Sequence, residues 1–237
     1  MKTESFKPHF EIWDSVEVLG PLMPGHFTAT HEIRAAVKHD LWGDMCAEYD
    51  AKNLFSWINK SSLPILDDTK NTLSYWLNDE ENHYRGLRLI CSCMYGHEEK
   101  KIDTMMAERK PDFTKIEHLI SDEFSLLITL AYDELVSALG YKMFVSDFEK
   151  FGPPSVVEWV LKASRDEGLH YFNFATVALN AYPERKKEVP EILDRIIEYE
   201  NSPDMTYKNT FLLDHTTETF TREFLNSCAE RVIQKFS

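Results

Sequence analysis

The 237-residue chain has only four cysteines, Cys46, Cys91, Cys93 and Cys228. Nothing in their number or spacing describes a disulfide framework. Cys91-Ser92-Cys93 is neither a zinc nor a haem motif, and residues two apart on a helix point to different sides. Reduced thiols in a cytoplasmic protein are the expectation. Cations are also scarce, with 26 Lys and Arg against 40 Asp and Glu and a net charge of −14. That balance argues against nucleic acid or an anionic membrane as a main partner. Three short basic clusters, Lys100-Lys101, Arg109-Lys110 and Arg185-Lys186-Lys187, read as solvated helix ends. Long apolar runs are missing, and the longest aliphatic stretch, Leu126 to Ala131, is too short to span a bilayer. The opening MKTESFKPHFEIWD has no apolar core and carries acids, unlike a signal or transit peptide. No stretch alternates with period two for long enough to be a strand. No phosphate-binding glycine loop, dinucleotide fingerprint or nucleophile elbow occurs. His31-Glu32 and His97-Glu98-Glu99 lack the second His of a zinc-protease helix.

What is present is helical periodicity. After an arm over residues 1–25, with one short helix around Glu11 to Leu19, the pattern predicts a helix from Phe27 to Asn59. Its apolar stripe runs Ile33, Val37, Leu41, Met45, Ala51, Phe55, Ile58. A second helix is expected over Thr69 to Tyr95, capped by Asp67-Asp68-Thr69 and stopped at Gly96. A short helix fits Ile102 to Ala107. A third long helix is expected from a Thr114 cap to Lys150, and a fourth from Gly152-Pro153-Pro154 to just before Pro183. Two more, Glu184 to Glu200 and Met205 to Phe236, complete an all-α chain. The expected organisation is one domain, with the arm, a four-helix core over 26–182 and accessory helices over 183–237.

The second helix's stripe is Leu73, Trp76, Leu77, Leu87, Ile90, Cys91, Met94. The third's includes Ile116, Leu119, Ile120, Leu127, Leu130, Ala131, Ala138 and Tyr141, and the fourth's is Val156, Val160, Ala163, Phe174, Val177, Ala181. Four acids and two histidines sit on these predicted buried faces. Glu-x-x-His occurs at Glu80/His83 and again at Glu167/His170, each time with an Asp before the Glu, Asp79 and Asp166. Each motif follows a helix with one Glu on its apolar face. Glu48 precedes Glu80 by 32 residues, and Glu134 precedes Glu167 by 33. Glu32 lies off its stripe, and Glu123, a competitor on the face of Glu134, lacks the matching spacing. Residues three apart share a helix face, so each motif can offer a carboxylate and an imidazole to one ion. Four buried carboxylates without cations would repel and protonate. Two ions of iron or manganese type would remove that cost. Asp79 and Asp166 are placed to accept the outer N–H of a ligand His on a neighbouring helix. His118 and His215 read as structural or surface groups. Gly86 and Gly168 either leave room near the site or allow close helix packing, the second being the expectation.

The pattern Glu48, Glu80-x-x-His83, Glu134, Glu167-x-x-His170 resembles the ferritin-like di-iron carboxylate proteins. WLNDEENHYRGL is similar to a helix of soluble acyl-carrier-protein desaturases, and RDEGLHYF to their second motif and that of aldehyde-deformylating oxygenases. The likeness covers Glu48 to about Phe174. It implies a ferritin-like four-helix bundle, two Fe or a mixed Mn/Fe pair, and O2 activation. Electrons would come from an external donor such as a ferredoxin or reductase. The implied reaction is desaturation or hydroxylation of a small or acyl-type substrate, free or carrier-protein-bound. Oxidation of an aldehyde or amine stays open, as does iron handling without an organic substrate. Ser137, three residues after Glu134, matches a desaturase hydroxyl position and is a candidate catalytic residue. A homodimer is expected.

Overall fold

Four helices of 27 to 30 residues make up most of the chain: α2 (His31–Lys60), α3 (Asp67–Tyr95), α5 (Glu123–Glu149) and α6 (Pro154–Ala181). Among the described residues there are four shorter ones: α1 (Ser15–Leu19), α4 (Glu99–Ala107), α7 (Val189–Glu200) and α8 (Arg222–Phe236). The computed structural model describes residues 5–202, 207, 212–213 and 220–237, and among these there is no strand.

The long helices pack as two antiparallel pairs, α2 with α3 and α5 with α6. The direction is fixed by side chains along each seam. Near the start of α2, the Arg34 carbonyl accepts from Tyr95 near the end of α3. Further along, Leu54 and Ile58 share a cluster with Leu73 and Trp76. On the other pair, Ser164 donates to the Ala138 carbonyl, and His170 meets Glu134 one turn beyond. The pairs join through α3 against α6 and through a Tyr141–Glu48 bond between α5 and α2. Gly86 serves the α3–α6 contact, since a Cβ there would lie 2.0 Å from Trp159 Nε1. Gly168 meets nothing within 4 Å, so close packing does not explain it.

Helix ends follow local chemistry, with several departures from the expected bounds. The α2 helix starts at His31, where the Thr30 hydroxyl accepts from the Ile33 amide, and not at Phe27. Asp67 and Asp68 occupy the first turn of α3 instead of capping it, and Thr69 turns its hydroxyl to Glu123. Gly96 ends α3 at φ 71, a left-handed conformation that glycine adopts without Cβ strain. The expected Thr114 cap is displaced. Residues Phe113–Ile116 form a single 3-10 turn around the Asp112 carboxylate, and α5 begins only at Glu123, capped by Asp122. Ile116, Leu119 and Ile120 are buried without belonging to a long helix, and their periodicity had mimicked one. Residues 183–188 are 3-10, because Pro190 lacks the N–H that a continuous helix would need and fits only the first turn of α7. The last helix starts at Arg222, with most of residues 203–219, His215 included, outside the described residues.

Two of the basic clusters are clamps. Arg109 Nε donates at 2.9 Å to Asp50, which is fully buried on α2, and Arg185 binds Asp122 and Glu188. Helix α5 is long and apolar enough to cross a membrane by length and composition, yet 89% of that window is buried against its neighbours. The single stripe expected for it understates its burial, because Phe124 to Val136 are buried on every side.

Candidate metal centre

The apolar core falls into two blocks. One holds Leu54, Ile58, Leu73, Trp76, Phe124, Phe174 and Val177, and the other holds Leu41, Met45, Leu87, Ile90, Val156 and Trp159. On each of α2, α3 and α6, the ligand candidates lie where one block gives way to the other. Glu48, Glu80, His83, Glu134, Glu167 and His170 are all buried there, at 7% exposure or less. A charged layer across the middle of a core needs compensation of comparable strength.

The six side chains form two groups with shared members. Glu48, Glu80, His83 and Glu167 bring one ligand atom each within 4.8 Å of one another, and so do Glu80, Glu134, Glu167 and His170. Glu80 and Glu167 belong to both. Each group therefore has one private carboxylate, one imidazole and two shared carboxylates.

Imidazole orientation is set from across the α3–α6 seam. His83 on α3 turns Nε2 to Asp166 on α6 at 3.2 Å, and His170 on α6 turns Nε2 to Asp79 on α3 at 3.1 Å. Each Nδ1 is left facing the cage. His83 Nδ1 lies 3.2 Å from Glu167 and 3.4 Å from Glu48. His170 Nδ1 lies 3.0 Å from Glu134 and Glu167 and 3.3 Å from Glu80. An imidazole that gives its outer N–H to a carboxylate keeps the other nitrogen available as a donor to an ion.

Each private carboxylate is held by one aromatic donor. The Tyr141 hydroxyl donates to Glu48 Oε1 at 2.5 Å, and Trp76 Nε1 donates to Glu134 Oε1 at 2.8 Å. Both aromatics fall on predicted apolar stripes and carried no expected role. A signal was present: Trp76 is one turn before Glu80 and Tyr141 two turns after Glu134. Trp13, which donates to Asp166 Oδ2 at 2.6 Å, left no such signal because it lies outside the long helices.

Electrostatics show the strain of this layer. Burial raises the Glu80 carboxyl well above the usual range, and the charges of Glu48, Glu167 and Glu134 add to it. Burial raises Glu134 as well, with Glu167 adding and His170 opposing. Burial also opposes ionisation of Glu167, yet the His83 and His170 rings outweigh it and hold that carboxyl low. Burial would lower both imidazoles, but the surrounding carboxylates keep them well above 6.5. Without ions the layer therefore favours the protonated forms of Glu80, Glu134 and both rings. Divalent ions would displace those protons.

The donor set fits such ions. Glu48 Oε2, Glu80 Oε1 and His83 Nδ1 are buried and lack a hydrogen-bond partner, and all three belong to the first group. Carboxylate plus imidazole suits iron or manganese, with no thiolate near to favour zinc or copper(I). The competing acids and His118 lie away from the cage. Glu123 accepts from Thr69, Tyr182 and the Leu66 amide, Glu32 is exposed at the start of α2, and His118 is exposed against Tyr199. Ser137 is half-buried on α5 and makes no hydrogen bond among the described residues, so the resemblance alone carries a role for it. None of the four buried cysteines is in a disulfide, and burial pushes the Cys91 thiol up to about 12. Comparison with known protein families, with characterised proteins and with solved structures finds no match to this chain.

Proposed function

We propose that the chain is a non-haem di-iron oxidoreductase of ferritin-like architecture that activates O2 and oxidises a small organic or acyl-type substrate. The observation that carries this reading is the sharing of Glu80 and Glu167 between two buried four-residue groups, each completed by its own Glu and His. One buried ion would leave the far carboxylates uncompensated. Two divalent cations would balance the four carboxylates, which among the described residues have the His83 and His170 rings and no Lys or Arg as ion-pair partners.

A bound iron pair would supply the two-electron chemistry of dioxygen reduction, and the protein's part is to hold and shield it. Glu48, Glu80, His83 and Glu167 would hold one ion, and Glu80, Glu134, Glu167 and His170 the other. Tyr141 and Trp76 restrain the private carboxylates, so these cannot swing to a second geometry without losing a hydrogen bond. Asp166 and Asp79 restrain the rings. The two apolar blocks on either side keep bulk water from the layer, which strengthens every charge interaction inside it. Electrons are assigned to a separate donor protein such as a ferredoxin or reductase.

The test starts with anaerobic Fe(II) loading. Two ferrous ions per chain are expected, and none would overturn the reading. Rapid mixing of the loaded protein with O2 should then give a transient visible absorption that decays faster with one class of candidate substrate. Direct growth of a ferric mineral absorption, indifferent to every substrate, would replace the oxidase by an iron-handling protein.

A further inference from the structure

The arm ahead of α2 reaches the cage from outside. Residues 9 to 15 cross the α3–α6 seam, tied by the Glu11–Arg165 and Asp14–Arg85 ion pairs, by Phe10 stacked on Tyr75, and by buried or half-buried hydrogen bonds at three places. His9 exchanges two hydrogen bonds with Asn173, its amide donating to Oδ1 at 2.9 Å and its carbonyl accepting from Nδ2 at 2.8 Å. The Ser15 amide donates to Asn82 Oδ1 at 2.8 Å, its hydroxyl donates to the Asn82 carbonyl at 2.6 Å, and Trp159 Nε1 donates to that hydroxyl at 2.8 Å. Between these, the Trp13 indole N–H donates to Asp166 Oδ2 at 2.6 Å.

The middle contact differs from the other two because Asp166 also orients a cage imidazole. Both of its interactions fall on Oδ2, from Trp13 and from His83 Nε2 at 3.2 Å, while Oδ1 is buried without a partner. A carboxylate held through one oxygen can rotate unless its donors converge, and the indole is one of the two that fix it. The Trp13 ring also lies 6.0 Å from the His83 ring, inclined by 34°, and walls one side of it. The other half of the cage has no equivalent. Asp79 faces His170 with a side chain 17% exposed, against 1% for Asp166, and no indole reaches it among the described residues.

We propose that Trp13 is a positioning residue for the His83 half of the cage, and that docking of the N-terminal arm is thereby coupled to ion binding in that half. The inference rests on the two-ion reading above. Fixing Asp166 fixes the His83 ring, with Nε2–H outward and Nδ1 toward the ion. Linkage is reciprocal, so an ion bound at His83 holds the arm down by the factor by which the arm tightens the ion.

The test is Trp13→Phe, which keeps a ring and removes the donor. Co(II) titrated into apoprotein should bind two equivalents in the wild type, and the variant should hold one of them about tenfold more weakly. Hydrogen exchange gives a readout that packing alone would not move. Co(II) should slow exchange over residues 9–19 in the wild type and not in the variant, with α5 equally protected in both. Two equivalents bound by the variant at wild-type affinity would overturn the proposal and leave the two-ion reading standing. So would arm exchange indifferent to Co(II) in a wild type that binds both equivalents. A wild type that takes up no Co(II) overturns both. If Trp13→Phe does not fold, Asn173→Ala, which releases His9 without touching a cage residue, should show the same loss of coupling, and unchanged coupling there would overturn the proposal.

Discussion

The half of the cage around His83 and the half around His170 present the same donor set in different surroundings. Each offers one private Glu, one His and the shared Glu80 and Glu167. Around His83 the private carboxylate is held by a phenol, and the outer Asp is sealed under the arm by an indole. Around His170 the private carboxylate is held by Trp76, and the outer Asp79 is partly open to water. A repeated helix pair thus yields two equivalent ligand sets, while the neighbours that support them are not repeated. Equal chemistry and unequal support predict two ions that differ in affinity and in exchange with solvent.

The comparison breaks most completely at the shared residues. Replacing Glu80 or Glu167 by Ala should abolish uptake at both positions, so metal content falls from two ions per chain to near zero. A variant that kept one tightly held ion would show that the carboxylates are not shared. His83→Ala and His170→Ala should each cost one ion, with helix content by circular dichroism unchanged. If stoichiometry survived His170→Ala, the cage would not be a metal centre.

Amide replacement of the outer acids sharpens the asymmetry. Asp166→Asn should weaken one Co(II) equivalent by about 10- to 100-fold. Asp79→Asn should have the smaller effect, because water can replace a partner at a site that is 17% exposed. Equal effects would remove the distinction between the halves.

The smallest expected change is the pH response of the apoprotein. Glu80 and Glu134 have carboxyls raised from 4.5, so the stability they contribute is full below pH 4.5 and is lost as pH rises through their folded values. His83 and His170 are raised from 6.5, and their contribution is full below pH 6.5 and lost above it in the same way. Glu167 is lowered and acts oppositely, losing its contribution only as pH falls well below 4.5. Between mildly acidic and alkaline pH the cage therefore destabilises apoprotein as pH rises. Thermal melts of apoprotein at pH 6 and pH 8.5 should show the drop, and added Co(II) should reverse it, since ions replace the protons. A melt independent of pH, with or without Co(II), would contradict the charge pattern described for the layer.

Much of this was legible because a helix reports its own faces. Leu41, Met45, Leu73, Trp76, Val156 and Phe174 fell on predicted stripes and are buried. Glu48, Glu80, Glu134 and Glu167 were conspicuous as acids on those stripes. The start of α5 was not legible, because Ile116, Leu119 and Ile120 keep a helical rhythm inside a segment that opens with a 3-10 turn. The basic clusters misled in another way. Arg109 and Arg185 bind acids distant in the chain, and no local pattern distinguishes such a residue from a solvated one.

The donor set is the part determined by sequence alone. Spacing of three within a motif puts Glu and His on one face, and near-equal spacing to the preceding Glu makes the second helix pair a copy of the first. Which residues are shared, which Asp serves which His, and what seals each half were decided by tertiary structure. Helical period fixes directions only within one helix. The rotation and height of α3 against α6, set by packing such as Trp159 over Gly86, cross Asp79 to His170 and Asp166 to His83. The arm then finds only one of those aspartates within reach of its indole.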